Sequence, residues 1–173
     1  FTFAVGAAVG TPPAVTIAHG SHWPVLALHA AARLLLLFTV GTALFRLLLA
    51  PPHLAPMLDR ATRWLAIGGI VGLILFAGAE GALRAGLPIA DAFSVEAMRA
   101  VLGASNGALR ALSAIGLILL AIGGGRLLQG LGIAGVIGGM GDSGLVLAVL
   151  PPGVGQGLMM LHGFAAALWI GAI

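Results

Sequence analysis

A chain of 173 residues with 60% apolar residues, 8% charged residues and no cysteine, at a mean hydropathy of +1.14, is too apolar for a water-soluble core and belongs in a bilayer. The lack of cysteine excludes disulfides, thiolate metal sites and CxxC redox chemistry, so any soft ligand must be methionine. The net charge of +3 is carried by arginine with no basic patch of the nucleic-acid type, so the lipid bilayer is an expected partner and nucleic acid is not.

At roughly 20 apolar residues per crossing, the length leaves room for about five spans, and the expected fold is an all-α, polytopic transmembrane helix bundle. Residues 1–24, broken by Pro12 and Pro13, read as an extracytoplasmic segment or as the end of an upstream helix, signal peptide or linker. Residues 25–173 read as the transmembrane domain. The chain opens at Phe1 and closes at Ile173 inside an apolar run, which reads as a piece of a longer protein.

The first span is expected from Val25 to Leu49, ended by the prolines of "APPHLAP", and the second from Thr62 to Leu83. Asp91 to Leu102 patterns as a short amphipathic helix, too polar to cross. A third span is expected from Ala108 to Ile122, stopped by Gly123, Gly124 and Gly125, a fourth from Arg126 to Leu150, and a fifth from Gln156 onward. Arg46, Arg60, Arg63 and Arg126 fall in or beside alternate connections, which places the N-terminal side outside, although Arg84, Arg99 and Arg110 dissent.

On that topology His29, Glu80, Asp142 and His162 come from four different spans to a similar depth near the outer face, with Met140, Met159 and Met160 at the same level and His19 and His22 just outside. An ionisable side chain at membrane depth is costly unless paired or wetted, so such a gathering reads as a site. Met159 and His162 stand three apart and share a helix face. Imidazole with thioether suits Cu(I), and imidazole alone also suits Cu(II). Arg33, one turn after His29, calls for a carboxylate partner, and Glu80 or Asp142 would serve. Plainer readings stand beside these: His162 as an interhelical donor, the methionine pair as packing, His19 and His22 as a solvated loop, and the Arg33 pair as a helix lock.

The segment "LHGFAAALWIGAI", with His162, Trp169 and Gly171, resembles the signature of the copper resistance D (CopD/PcoD) family of inner-membrane proteins. "ARLLLLFTVGTALF", with Arg33 and Gly41, looks like that family's first core helix, and "GLPIADAFSVEAMRAVLGASNGALRAL" is similar to its loop and short helix. The resemblance runs from about residue 25 onward and implies the N-terminal part of a membrane domain of about eight helices. It implies copper movement through the bacterial inner membrane, a periplasmic copper-binding (CopC-like) protein as partner, no enzymatic activity, and His162 as a metal-pathway residue. Where many relatives carry a Gly-His pair, this chain reads "GMGDSG", offering Asp142.

The expected function is therefore copper transport or handling. His19, His22 and His29 would collect the ion, Met159, Met160, His162 and Asp142 would pass it on, and Arg33 with Glu80 would form a gating charge pair. A different class of reading is a membrane electron-transfer protein with haem held by His29 and His162. A third is a non-catalytic structural subunit.

Overall fold

The computed structural model describes residues 23–104, 107–141 and 152–171, and all regular structure among them is helical. In chain order these are α1 (Trp23–Leu48), α2 (Ala55–Ala85), α3 (Val95–Leu102), α4 (Gly107–Ile122), α5 (Arg126–Gly139) and α6 (Pro152–Gly171). His19, His22 and Asp142 lie outside the described residues.

Prolines set several of the boundaries, though not always as breaks. Pro51 and Pro52 end the connection from α1, but Pro56 sits in the first turn of α2, where its missing N–H would have had no partner anyway. Helix α2 therefore begins at Ala55, seven residues before the expected Thr62, and α6 opens at Pro152, before the expected Gln156. At its other end α2 closes on Gly86, whose φ of 69° suits a residue without Cβ. The Gly86 N–H donates to Leu83 O and the Leu87 N–H to Ala82 O, which satisfies carbonyls the helix would otherwise leave unpaired.

The expected five spans are too many for the described residues. Three helices are long and apolar enough to cross a bilayer: α1, α2 with its preceding turn, and α6, and a fourth counts only if α3 and α4, bent by 97°, are taken as one span. The reason is length. Helix α4 has 16 residues and α5 has 14, which at 1.5 Å per residue is about 24 Å and about 21 Å, against a hydrocarbon core of about 30 Å. The expected continuation of the fourth span to Leu150 falls outside the described residues.

The bundle core draws on Leu36, Val40 and Leu44 of α1, Leu117 and Leu120 of α4, and Val136 of α5, all essentially buried. The opposite faces are equally apolar. On α2, Trp64, Ile67, Val71, Ile74 and Leu75 point outward, the pattern of a helix whose solvent is lipid. Two hydroxyls on α1 are satisfied within the helix, Thr39 Oγ1 donating to Leu35 O at 2.6 Å and Thr42 Oγ1 to Phe38 O at 2.8 Å.

Small residues set how closely the helices pack. Helices α4 and α5 make the most extensive contact, and a Cβ at Gly116 would stand 2.6 Å from both Gly132 O and Val136 N. That backbone-to-backbone approach is how helices associate where lipid removes any hydrophobic drive between them. Helices α1 and α6 meet in the same way at Gly41 and Gly171. The short α3, capped by Ser94 Oγ accepting from the Ala97 N–H at 3.2 Å, is seated on α2 with Gly81 against Ala97 O.

These contacts fix the register. Helices α2 and α5 run antiparallel to α1 and α4 respectively, while α6 runs parallel to α1, so the chain is an all-α membrane protein with polar residues collected at two levels. One level holds His29, Arg33, Arg110 and the Met140 end of α5, and the other holds Arg46, Asp59 and Gln129. Arg33 and Arg46 are separated by about 20 Å along α1.

Candidate functional site

At the first of these levels a small pocket of about 90 Å³ opens between α1, α5 and α6, lined by Arg33, Leu37, Met140, Met159, His162, Gly163 and Ala166. It is far smaller than the roughly 300–1,000 Å³ of an organic-ligand site and is suited to an ion with few waters.

Arg33 forms one wall. Its Nε donates to His29 Nε2 at 3.2 Å, one turn back along α1, and its Nη1 donates to Met140 O at 3.3 Å. Met140 ends α5, where the last carbonyls have no partner within the helix and carry the negative end of its dipole. A guanidinium is well matched to that position, because its planar fork serves two acceptors at once.

His29 in turn is fixed by stacking on Phe76 of α2, with ring centroids 4.6 Å apart and 13° between planes. Its Nε2 accepts from Arg33 and so is turned to the guanidinium. In this arrangement His29 orients Arg33, and it does not line the pocket.

The soft donors come from the other two helices. Met140 is buried, and its Sδ lies 3.4 Å from where a Cβ on Gly163 would stand, so the absence of a side chain at Gly163 lets the thioether lie against α6 beside His162. Met159 and His162, three residues apart on α6, border the pocket from one helix face. His162 is exposed, open to whatever fills the pocket mouth. Met160 points elsewhere, its Cε lying 3.2 Å from the Cβ position of Gly141, and does not line the pocket. Among the described residues no three of His, Asp and Glu gather closely enough to hold a metal ion, and the residues bordering the pocket that carry a soft donor are His162, Met140 and Met159.

Glu80 belongs to a neighbouring cluster. Its carboxylate is held by Arg84 at 2.6 Å, one turn on, and by Arg110 of α4 at 2.6 Å. Arg110 also lies over Phe76, 5.4 Å from the ring centroid, so Phe76 joins the Glu80 cluster to His29 and Arg33. Glu80 and Arg110 are only 14% and 15% exposed, which makes their pairing costly to break. Phe76 and Arg110 are invisible as site residues in a sequence reading. The one hint is that Phe76 precedes Glu80 by four residues and so shares its helix face.

Comparison with known proteins returns no matching family model, no matching curated protein and no matching solved structure.

Proposed function

We propose that this chain handles copper ions within the bacterial inner membrane, taking them from the extracytoplasmic side, as its resemblance to the copper resistance D family implies, and that it is a transport protein rather than an enzyme. The observation that carries the reading is the convergence of Met140, Met159 and His162 on one small pocket at membrane depth. Two thioethers and an imidazole form a soft, uncharged donor set. Such a set favours Cu(I) over the harder divalent ions, which take carboxylate and water oxygen.

An ion entering from water must lose hydration, and bonds to sulfur and nitrogen compensate for that loss. A few weak donors at an open pocket bind and then release, as passage through a membrane requires. Arg33 holds the end of α5 and with it Met140, and, because it also lines the pocket, its charge opposes tight retention of a cation and favours release. A periplasmic copper-binding protein is the partner that would deliver the ion.

The test is a Cu(I) titration of the purified protein against a competing chelator, paired with copper uptake by proteoliposomes. His162→Ala and Met159→Leu should each weaken binding and slow uptake. Unchanged binding and uptake in both variants would overturn the assignment.

A further inference from the structure

The polar level opposite the pocket carries more arginine than its acidic groups can neutralise. Asp59 is already engaged there, ion-paired with Arg46 (Nε to Oδ1 3.2 Å), its Oδ2 accepting from Arg46 Nη2 at 3.5 Å and its Oδ1 from Gln129 Nε2 at 3.1 Å. Arg60 and Arg63 on α2 and Arg126 at the start of α5 are all exposed and have no carboxylate partner among the described residues.

They form one surface. Arg60 and Arg63 are three apart on α2 and so are neighbours on its face. Arg63 reaches across to the turn between α4 and α5, where a Cβ on Gly123 would lie 2.6 Å from its Nη2. Gly123 has φ of 70°, so the turn both needs glycine and leaves room for the guanidinium. Arg126 follows three residues later and opens α5, whose first turn is tied to the start of α2 by the bond from Gln129 Nε2 to Asp59, the residue before Arg60.

The depth of this corner identifies its ligand. From Trp64 to Ala79 α2 carries no charged residue, a stretch of about 24 Å that matches most of the hydrocarbon core. Arg60 and Arg63 therefore sit at the headgroup boundary. Trp64 beside them is 68% exposed, as expected of an indole at a lipid–water interface.

We infer that Arg60, Arg63 and Arg126 together seat the phosphate of an anionic phospholipid headgroup at the α2 and α4–α5 corner. A guanidinium cluster suits a phosphate through bidentate hydrogen bonds, and each arginine near an anionic surface strengthens binding about fivefold. The inference needs only the membrane placement of α2 and is independent of the copper reading.

The experiment places the purified chain in nanodiscs of phosphatidylcholine with or without phosphatidylglycerol, and reads lipid retention by native mass spectrometry together with the thermal midpoint. Wild-type protein should retain phosphatidylglycerol preferentially and melt higher in its presence. The triple variant R60Q/R63Q/R126Q should lose on the order of 100-fold in that preference. The exposed Arg99→Gln, far along the chain on α3, should keep it, and inorganic phosphate alone should not reproduce the stabilisation.

The inference is overturned if the triple variant retains the preference, if Arg99→Gln loses it equally, or if wild type does not distinguish the two lipids. It is also overturned if inorganic phosphate stabilises as well as the lipid, which would make the corner a general anion site. Because all three arginines are exposed, the single Arg63→Gln gives a partial loss in a protein whose core is untouched.

Discussion

Arg33 and Met140 stand 107 positions apart in the chain, yet the guanidinium Nη1 of one donates to the main-chain carbonyl of the other at 3.3 Å. That bond joins the first half of α1 to the C-terminal end of α5, where Met140 lies against Gly163 and the pocket. Arg33→Lys keeps the charge but supplies a compact ammonium that does not reproduce the fork to His29 and Met140 together. Cu(I) affinity is expected to fall about tenfold, the equivalent of about 1.4 kcal/mol for one weakened charged hydrogen bond, with helicity by circular dichroism unchanged. Wild-type affinity in the lysine variant would show that Arg33 does not position Met140.

Glu80→Gln should act on stability rather than on copper. It leaves Arg110, only 15% exposed, without its carboxylate, and a buried charge stripped of its partner costs about 3–5 kcal/mol. The double variant Glu80→Gln with Arg110→Met should recover much of the loss, since the charge that remains, Arg84, is 42% exposed and keeps access to solvent. Thermal or denaturant unfolding in one detergent reads both. Additive destabilisation in the double variant would mean that the pair is not coupled.

Phe76→Leu removes the ring that lies between His29 and Arg110. Stacking and cation–π contact are each worth about 1 kcal/mol, so a loss of about 2 kcal/mol in unfolding free energy is expected. A change no larger than that of the outward-facing Leu75→Ala would contradict the bridging role.

Glycine substitutions separate packing from propensity. Gly116→Ala places a methyl group 2.6 Å from Gly132 O and should destabilise by about 1–3 kcal/mol, because backbone on both sides must move. Gly130 on α5 has nothing within 4 Å of a Cβ position, so Gly130→Ala should be neutral or stabilise by up to about 1 kcal/mol. The same melts decide, and equal effects at the two positions would contradict the close α4–α5 approach.

Much of the fold can be read from hydropathy and proline. The apolar run from Val25 and the breaks at Pro51 and Pro52 locate α1, and the amphipathic pattern from Asp91 to Leu102 locates α3, which starts only at Val95 behind the Ser94 cap. Pro56 and Pro152 mislead, because proline both ends helices and opens them, and only the backbone around it decides which. The span count fails at α4 and α5: the glycines after Ile122 do mark the end of α4, but helices of 16 and 14 residues are too short to count as full crossings.

The pocket is only partly legible. Counting residues by depth brings Met140, Met159 and His162 to one level, and those three do border one pocket. Depth says nothing about direction around each helix, so it cannot separate Met159 from Met160, nor foresee that His29 turns to Arg33 and Phe76. Glu80 pairs with Arg84 and Arg110, a choice set by the α2–α4 register, which no local pattern encodes.

The most direct measurement is copper K-edge X-ray absorption on the purified chain loaded with one equivalent of Cu(I). Met140, Met159 and His162 as donors require both sulfur and imidazole scatterers, with sulfur scattering lost in the double variant Met140→Leu with Met159→Leu and imidazole scattering lost in His162→Ala. A copper environment of oxygen or nitrogen alone, or one unchanged by all of these substitutions, would contradict a metal passage at this pocket.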